Sequence, residues 1–325
     1  MALGFAVIAA ILLLLLPNTP RQQYYHHQGN IFGTYYNIRY ESAVDLHEEI
    51  KALLQEVDAS LSMFNPQSVI SKINRNEECT TDTLFEWMYR EAYAISELSG
   101  GAFDITVAPL VNAWGFGTKG QTPTTSNKIC IDSIMPYIGY YKTNLIDHQI
   151  EKNDPRITLD ASAIAKGYAC DVVANMLRNE GCANLLVDIG GEVVVQGINN
   201  NGNAWRVGIS KPKKNAMGVE DELQDVVEST NLCMATSGNY LQYYFVDGQR
   251  RSHTIDPRNG YPVGHSLLSA TVTASSCMRA DALATACMVL GEEEAISMIE
   301  QTNDAACYLI IADGDSIRIR KSNRW

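Results

Sequence analysis

The sequence predicts an α+β protein with mixed sheets and packed helices. Residues 45–61 and 83–98 carry apolar side chains at the spacing of one helix face. From residue 184 onwards, short segments rich in Val, Ile, Thr and Tyr alternate with Gly, Asn and Pro turn signals. Together, these two patterns indicate that helices and strands both contribute to the fold.

The chain is expected to start with an export signal or a membrane anchor. Residues 2–16 form an unbroken apolar run, which has the length of a signal-peptide core and is short for a spanning helix. Residues 24–27 are polar and aromatic and are predicted to be a linker. We therefore assign residues 1–28 to the signal or anchor with its linker, and residues 29–325 to one domain outside the cytoplasm.

One strand and two main helices are predicted next. Residues 30–40 are rich in β-forming side chains and predict the first strand. A helix over 45–61 is followed by a loop with a short helix over 62–74. A second long helix over 83–98 is expected to end at a Gly-Gly pair.

Residues 101–117 are apolar, aromatic and bounded by glycine, and they contain one carboxylate, Asp104. Two interpretations are open. The segment is either a buried turn in which Asp104 caps a helix, or a set of aromatic walls with a polar anchor for a flat ligand. Residues 117–127 are rich in Gly, Thr, Pro and Ser and predict a mobile loop.

A helix with an accessible N-terminus is predicted in the middle of the chain. Residues 157–159 predict a short strand, after which Asp160 is expected to cap a helix over 161–179. The first turn has no bulky side chain, and helix N-termini favour anions such as phosphate. The alternative is that Asp160 is only a cap and that Lys166, in the second turn, is only solvated.

Most of the remaining chain is predicted to form strands. Residues 184–189 and 192–196 predict a hairpin about Gly190-Gly191, which is not part of a dinucleotide-binding Gly-x-Gly-x-x-Gly motif. A charged loop or short helix is expected at 211–225, and a turn at 235–238. Further strands are predicted at 205–210, 226–234, 239–246, 307–312 and 316–320.

His253 lies where a strand is expected to run into a tight Asp-Pro-Arg-Asn-Gly turn. A lone histidine is more often structural than catalytic. Catalytic groups, however, are commonly found where a strand runs into a loop. The residues alone leave both roles of His253 open.

Residues 269–291 predict a strand followed by a buried helix. The strand is expected at 269–274 and the helix at 280–290, where a glycine ends it. Asp281 and Thr285 are four residues apart and therefore share one helix face, among small and apolar neighbours. Two hard oxygens on one face suit a cation such as Mg²⁺. The alternative is that Asp281 caps a nearby segment and Thr285 bonds to its own backbone.

The net charge argues against one class of partner, and the cysteine spacing argues against two kinds of cysteine motif. The formal net charge of −12 argues against a nucleic-acid partner, because phosphate binding needs a basic surface. None of the eight cysteines lies in a Cys-x-x-Cys motif or at zinc-ligand spacing with histidine. Their pairing is not assigned.

The chain resembles the ApbE-type FAD:protein FMN transferases over about residues 30–320. The resemblance implies a mixed α+β body with a flavin cleft between two subdomains, tethered to the periplasmic face of the bacterial inner membrane. Each motif is weak alone, whereas the ordered set is specific. The matching stretches are 101–117, 160–171, 188–192, 253–262 and 280–285, with shorter matches at 32–34 and 63–65.

The resemblance also implies the roles of individual residues. His253 would be the catalytic base toward the acceptor hydroxyl. Asp281 and Thr285, with the backbone carbonyl of Ala163, would bind Mg²⁺. Some members of the family carry Glu at position 166, and Tyr or Asn at position 64. The FAD site would be formed by Phe32, Phe64, Ala102, Phe103, Asp104, Asp160, Lys166 and Ile255.

The implied reaction moves FMN from FAD onto a Thr or Ser hydroxyl of a target protein and releases AMP. The acceptors would be flavoprotein subunits of the sodium-pumping NADH:quinone reductase or Rnf type, with an Asp-x-Ser-Gly-Ala-Thr-like motif. One alternative is a Mg²⁺-dependent FAD pyrophosphatase that yields FMN and AMP. Another is a non-catalytic FAD-binding lipoprotein, for which a base at His253 would have no use.

Overall fold

The structure is a computed structural model that describes residues 22–117, 131–212, 222–239, 243–246, 249–314 and 316–325. It confirms the α+β class. The helices are α1 His47–Leu61, α2 Val69–Asn74, α3 Thr83–Leu98, α4 Ala108–Ala113, α5 Ile131–Ile134, α6 Ala165–Asn179, α7 Cys277–Leu290 and α8 Glu292–Gln301. The strands are β1 Gln23–Ile31, β2 Thr34–Ser42, β3 Thr143–Ile146, β4 Gln149–Lys152, β5 Leu185–Ile189, β6 Glu192–Gln196, β7 Trp205–Ser210, β8 Leu223–Ser229, β9 Asn231–Gly238, β10 Tyr243–Val246, β11 Gln249–Ser252, β12 Ile255–Asp256, β13 Tyr261–Pro262, β14 Leu267–Thr273, β15 Ala306–Asp313 and β16 Ser316–Lys321.

An antiparallel sheet with the strand order β1-β2-β5-β6-β9-β14-β15-β16 forms the centre of the molecule. Side chains alternate between its two faces. In β6, Val194 points to the face covered by α1, α3, α6 and α7, where the main core lies. Val193 and Val195 point to the opposite face, which the β7–β8 ribbon covers through Trp205 and Val207.

Helix α7 is buried between the sheet and α6, and this position decides where its polar side chains point. Its residues are almost all small or apolar, as expected for a helix that is covered on every side. It begins after Ser276, whose hydroxyl accepts a hydrogen bond from the Arg279 backbone N–H at 3.1 Å. It ends at Gly291, whose φ of +77° suits a residue without a side chain.

A smaller apolar cluster lies beside the main core and includes residues of α4. The indole Nε1 of Trp114 donates a hydrogen bond to the Gly260 carbonyl at 2.8 Å, which ties α4 to the turn between β12 and β13. The buried members of this cluster are Leu110, Trp114, Ile131, Ile138 and Ile255.

The first strand differs from the sequence prediction in two respects. Residues 24–27 are not a linker but belong to β1, which pairs with β2 along its whole length. The strand predicted over 30–40 is divided by a turn at Phe32 and Gly33, whose φ angles are +53° and +72°. Composition does not reveal this turn, because the residues on both sides of it are β-forming. The boundary assigned between residues 28 and 29 therefore falls inside a strand.

Two predictions for the residues immediately before α6 were also wrong. Residues 157–159 do not form a strand, and the helix predicted from residue 161 begins at Ala165. The Asp160 carboxylate accepts a hydrogen bond from the Ser162 backbone N–H at 2.8 Å. This side-chain bond stabilises a turn, so the chain becomes helical only after it.

Residues 235–238 continue β9 and do not form the predicted turn. Ala and Gly have low strand propensity, but β14 pairs with this segment, as in the Ser237 and Ala270 pair. Several local predictions are confirmed: α1, α3, α7, the β5–β6 hairpin and the β15–β16 hairpin. Each of these has a strong periodic or turn signal of its own.

Four predicted features lie partly or wholly outside the described residues. They are the apolar run at 2–16, the loop at 117–127, the charged segment at 211–225 and the strand at 239–246. In the part of the chain that the structure describes, no helix is both long and apolar enough to cross a membrane. The N-terminal signal or anchor stays a prediction.

Candidate active site

A cavity of about 480 Å³ opens between the main core and the smaller apolar cluster. This volume is within the range of small-molecule and cofactor pockets. Phe103 and Ile105 of the main core line one side, and Val111 and Ile255 of the smaller cluster line the other. The cavity is therefore shaped by contacts between distant parts of the chain.

The structure brings nearly all of the predicted site residues to this cavity. The exception is Phe32, which lies in the turn between β1 and β2, packs partly buried against the main core and does not line the cavity. The predicted residues that do line it are Phe64, Ala102, Phe103, Asp104, Asp160, Ala163, Lys166, His253, Ile255, Asp281 and Thr285.

Helix α7 presents Asp281 and Thr285 to the cavity on one face, as their spacing predicts. Asp281 is only 2% exposed, and its Oδ2 accepts a hydrogen bond from the Gly167 backbone N–H at 3.0 Å. The Thr285 hydroxyl lies 3.2 Å from the Ser237 hydroxyl of β9. The helix thus directs two hard oxygen donors into one buried corner.

Lys166 and Glu192 complete this corner. The Lys166 ammonium lies 2.8 Å from Glu192 Oε1 and 3.9 Å from Asp281 Oδ2. Burial opposes the charge of Lys166, but the two carboxylates outweigh that effect and raise its pKa above the ordinary value. Burial raises the pKa of Glu192 to about 8; Lys166 opposes this rise and Asp281 adds to it. The three groups form a mixed-charge cluster at the cavity wall.

The junction of α6 and α7 holds this cluster in place. A Cβ added to Gly167 would lie 2.3 Å from the Cys277 carbonyl oxygen and 2.8 Å from the Asp281 Cβ, so only glycine allows this approach. The Asp171 carboxylate accepts hydrogen bonds from the backbone N–H groups of Cys277 and Met278, at 2.9 and 2.8 Å. Burial raises the pKa of Asp171 to about 6, although these two bonds oppose the rise.

Asp104 confirms the capping interpretation of its segment, and its role as an anchor for a flat ligand stays a prediction. Its Oδ1 accepts bonds from the backbone N–H and the hydroxyl of Thr106, both at 2.7 Å, and its Oδ2 accepts a bond from the Tyr140 N–H at 2.8 Å. It therefore caps a 3₁₀ helix, Ile105–Val107, while it also lines the cavity. Burial raises the pKa of Asp104 and, in the same way, that of Asp160.

Aromatic rings form the other walls. Phe64 is 74% exposed, which is unusual for a large apolar side chain beside a cavity. The Phe116 and His253 rings meet edge to face with their centroids 6.2 Å apart. Flat apolar walls near an acidic corner with one ammonium suit a ligand that combines an aromatic ring with a charged polar group.

A model of the ApbE family matches residues 32–309 of this chain. This chain belongs to the ApbE family. A FAD:protein FMN transferase of Vibrio cholerae is 35% identical to it over 299 residues, which cover 89% of this chain and 88% of the relative. Family membership agrees with the resemblance found in the ordered sequence motifs.

Solved structures of other ApbE proteins have the same fold. The flavin transferase ApbE from Vibrio cholerae superimposes with a TM-score of 0.82 at 34% identity and covers 93% of this chain and 98% of that one. The apo form of the Pseudomonas stutzeri flavinyl transferase ApbE superimposes with a TM-score of 0.83 at 29% identity, covering 93% and 95% of the two chains. The ApbE fold thus includes both walls of the cavity.

In this ApbE chain, the corner at Asp281 has the right chemistry for a hard cation. Asp281 Oδ2 is already hydrogen-bonded, whereas no described residue donates a hydrogen bond to its Oδ1. Thr285 adds a hydroxyl oxygen, and Ala163 lines the same cavity and has a backbone carbonyl to offer. Oxygen donors of this kind suit Mg²⁺. No group of three or more His, Cys, Asp or Glu side chains with metal-site geometry occurs in the described residues, so a cation would need this mixed donor set.

Gly167, Asp171 and Glu192 are among the residues of this ApbE site that were not predicted individually. Each lies in a stretch that resembles the family, at 160–171 or 188–192, and that resemblance was the available signal. Their individual roles could not be predicted, because each role depends on a partner in another element. Gly167 and Asp171 contact α7, and Glu192 contacts α6.

Proposed function

We propose that this chain transfers FMN from FAD to a Thr or Ser hydroxyl of a target protein, with Mg²⁺ as cofactor and AMP as the released product. Flavin transfer rests on membership in the ApbE family and on the activity that its curated relatives are named for. The proposed acceptor, cofactor and product are supported by the placement of Asp281, close to Lys166, and of Thr285 in one cavity with aromatic walls.

The chain's own residues can divide the binding of FAD between them. Phe64, Phe103 and Phe116 supply apolar and aromatic surface for the ring system. Asp281, Thr285 and the Ala163 carbonyl would hold Mg²⁺, which would stabilise negative charge on the pyrophosphate oxygens. The polar and apolar parts of FAD thus have separate complementary surfaces.

The charge of the buried corner supports a divalent cation. When they are ionised, Glu192 and Asp281 contribute two negative charges, and Lys166 contributes one positive charge. A buried net negative charge is unfavourable unless a cation or a proton compensates for it. The proposed Mg²⁺ would provide this compensation while it remains free to bind phosphate.

His253 is proposed as the base that activates the acceptor. The hydroxyl oxygen of the acceptor forms a bond to the FMN-side phosphorus, its proton passes to His253, and the pyrophosphate bridge breaks with AMP as the leaving group. An imidazole is suited to this role because its unperturbed pKa is near 6.5. A base in hydrogen-bond reach typically contributes about 10²–10⁴-fold to such a step.

The proposed partners follow from this chemistry. The acceptors are flavoprotein subunits with an Asp-x-Ser-Gly-Ala-Thr-like motif, of the sodium-pumping NADH:quinone reductase or Rnf type. We propose that the chain works at the periplasmic face of the bacterial inner membrane and is attached through residues 2–16, which have signal or anchor character. The acidic net charge of −12 supports the absence of a nucleic-acid partner.

The test combines the protein with FAD, Mg²⁺ and an acceptor that carries the motif. Covalent FMN on the acceptor would be followed by fluorescence in a denaturing gel and by intact mass, with AMP measured in parallel. The controls are a chelator and an acceptor in which the motif Thr is replaced by Val. We expect labelling and AMP release in equal amounts, and both should be lost in each control.

Two other results would contradict the proposal. AMP and free FMN without labelling, at the same rate with and without the acceptor, would make the chain an FAD pyrophosphatase. Bound FAD that stays intact with Mg²⁺ and the acceptor present would make it a flavin-binding protein. Both of these activities use the same cavity, so the products distinguish them and the geometry does not.

A further inference from the structure

Glu192 has an unused oxygen at the wall of the cavity. The residue is 2% exposed, and its Oε1 forms the ion pair with Lys166 at 2.8 Å. Its Oε2 is buried and has no hydrogen-bond partner among the described residues. Glu192 nevertheless lines the cavity, so a bound molecule can reach the neighbourhood of this oxygen.

A buried carboxylate oxygen without a donor is unfavourable and uncommon in folded proteins. The backbone of Glu192 is held in place, so a shift of the main chain cannot readily bring Oε2 to a donor. It starts β6, which is paired on one side with β5 and on the other with β9. The glycines of the preceding turn, Gly190 and Gly191, have φ angles of +68° and +102° and form the tight connection to β5. The missing donor is therefore expected from the ligand.

We infer that Glu192 Oε2 accepts a hydrogen bond from a sugar hydroxyl of the bound FAD, an inference that rests on the proposed function. The donors that oxidised FAD offers are the flavin N3–H, the adenine amino group and the hydroxyls of the ribityl chain and the ribose. Its phosphates have no donor. The position of the ion pair between Lys166 and Glu192 indicates which of these donors lies closest to Oε2.

Lys166 joins Glu192 to Asp281, the residue proposed to hold the cation that binds the pyrophosphate. Glu192 therefore lies near the part of the cavity where the pyrophosphate of FAD is proposed to bind. The hydroxyls of the ribityl chain and the ribose are attached within a few bonds of the pyrophosphate, whereas the donors of the two ring systems are at the far ends of FAD. A sugar hydroxyl is thus the donor that matches both the chemistry and the position of Oε2.

Binding of FAD analogues to the unaltered protein tests this inference directly. The probes are FAD and analogues that each lack one hydroxyl of the ribose (2′ or 3′) or of the ribityl chain (2′, 3′ or 4′). Dissociation constants would be measured by flavin fluorescence without an acceptor. We expect one analogue to bind about tenfold more weakly than FAD, because removing its hydroxyl leaves the buried Glu192 Oε2 without a hydrogen-bond partner. Equal binding of all the probes would overturn the inference.

Glu192→Gln identifies the residue responsible. The amide can still accept a bond from Lys166, but it then presents an NH₂ group to the ligand in place of an acceptor. We expect this variant to bind FAD about tenfold more weakly and to lose the preference for FAD over the critical analogue. Glu180→Gln is the matched control, because Glu180 is exposed and does not line the cavity.

The Lys166→Met variant distinguishes a direct contact between Glu192 and FAD from an indirect effect in which Glu192 only positions Lys166. If Glu192 acted only by holding Lys166, the preference for FAD over the critical analogue would vanish in Lys166→Met, and this result would overturn the inference. We expect the preference to persist. Failure of the wild-type protein to bind FAD would refute the proposed function as well. Strong binding that is insensitive to Glu192→Gln would refute the inference alone.

Discussion

At the scale of single residues, the most important feature of the site is the small number of hydrogen-bond partners around the buried Asp281 carboxylate. Asp281 is buried on a helix of small side chains, where its carboxylate accepts one hydrogen bond from the Gly167 N–H and lies 3.9 Å from the Lys166 ammonium. Such a group loses hydration without gaining a full set of partners, which favours a cation as the additional partner.

Replacing Asp281 with Ala should remove Mg²⁺-dependent transfer and leave the fold largely intact. The reason is that the proposed cation loses its only charged ligand on α7, while the helix keeps its cap and its apolar contacts. Covalent labelling of the acceptor should fall by at least about 10²-fold, the scale for loss of an electrostatic group in the transition state. Asp313→Ala, at the exposed end of β15, is the control. Unchanged labelling in Asp281→Ala would refute the metal assignment.

Replacing His253 with Ala should slow transfer far more than it weakens FAD binding. A base acts on the acceptor hydroxyl in the transition state, so its loss lowers the rate by about 10²-fold or more and leaves the affinity of the ground state nearly unchanged. Single-turnover labelling rates and FAD dissociation constants would be measured on the same samples. Collapse of FAD binding with a proportional loss of rate would show that His253 is instead a ligand contact.

At the scale of secondary-structure elements, the important feature is the contact between α6 and α7. Gly167 lets the two helices approach, and the Asp171 carboxylate accepts hydrogen bonds from two backbone N–H groups at the start of α7. Those N–H groups have no partner inside the helix, so the carboxylate acts as a cap supplied by a neighbouring element. The contact sets the position of the helix that carries Asp281 and Thr285.

Gly167→Ala should destabilise the protein and reduce transfer. The new methyl group would lie 2.3 Å from a backbone oxygen, so the helices must separate; overpacking of this kind costs about 1–3 kcal/mol. The free energy of unfolding would be measured in urea, together with the labelling rate. Gly264→Ala is the matched control, since no neighbouring atom lies within 4 Å of the added Cβ. Equal stability of the two variants would contradict the close approach.

Asp171 should make stability depend on pH. Burial raises its pKa in the folded protein from an ordinary value near 3.8 to about 6. A group with a raised folded pKa stabilises the folded state fully below the unfolded pKa, and this contribution is lost as the pH rises through about 6. Relative to Asp171→Asn, the unfolding free energy of the wild type should therefore fall between pH 4 and 7, by an amount on the order of 2 kcal/mol. Urea titrations across this range would test it, and a rise instead of a fall would contradict it.

At the scale of the whole molecule, the cavity lies where the main core meets the smaller apolar cluster. The main core is held by the central sheet, whereas the smaller cluster contains few buried residues and is joined to the β12–β13 turn through Trp114. A ligand that contacts both walls adds bonds between the two cores. Binding should therefore stabilise the protein as a whole.

FAD and Mg²⁺ together should raise the melting temperature. A ligand at about 100 times its dissociation constant stabilises the folded state by about 2.7 kcal/mol, which corresponds to a few degrees in a chain of this size. Scanning calorimetry would compare no ligand, FAD alone and FAD with Mg²⁺. The Mg²⁺-dependent part should disappear in Asp281→Ala. If FAD raised the melting temperature of the wild type equally with and without Mg²⁺, this result would contradict coupled binding of FAD and Mg²⁺ at one site.

Short-range patterns in the sequence were sufficient for much of this protein. The bounds of α3, the end of α7 at Gly291 and the shared face of Asp281 and Thr285 follow from spacing, caps and turn residues, because each depends on neighbours within a few positions. All but one of the site residues predicted from the ordered motifs line the cavity. These motifs could be recognised because family resemblance is itself carried by local sequence. The N-terminal run and its role remain predictions from composition.

Only the tertiary structure decided how distant segments meet. Residues 235–238 became part of a strand because β14 pairs with them, and the Gly167 N–H met Asp281 across 114 positions of the chain. Glu192 and Lys166 became an ion pair because β6 and α6 face each other across the core. Such contacts depend on packing free energy summed over the whole chain, which no local pattern encodes.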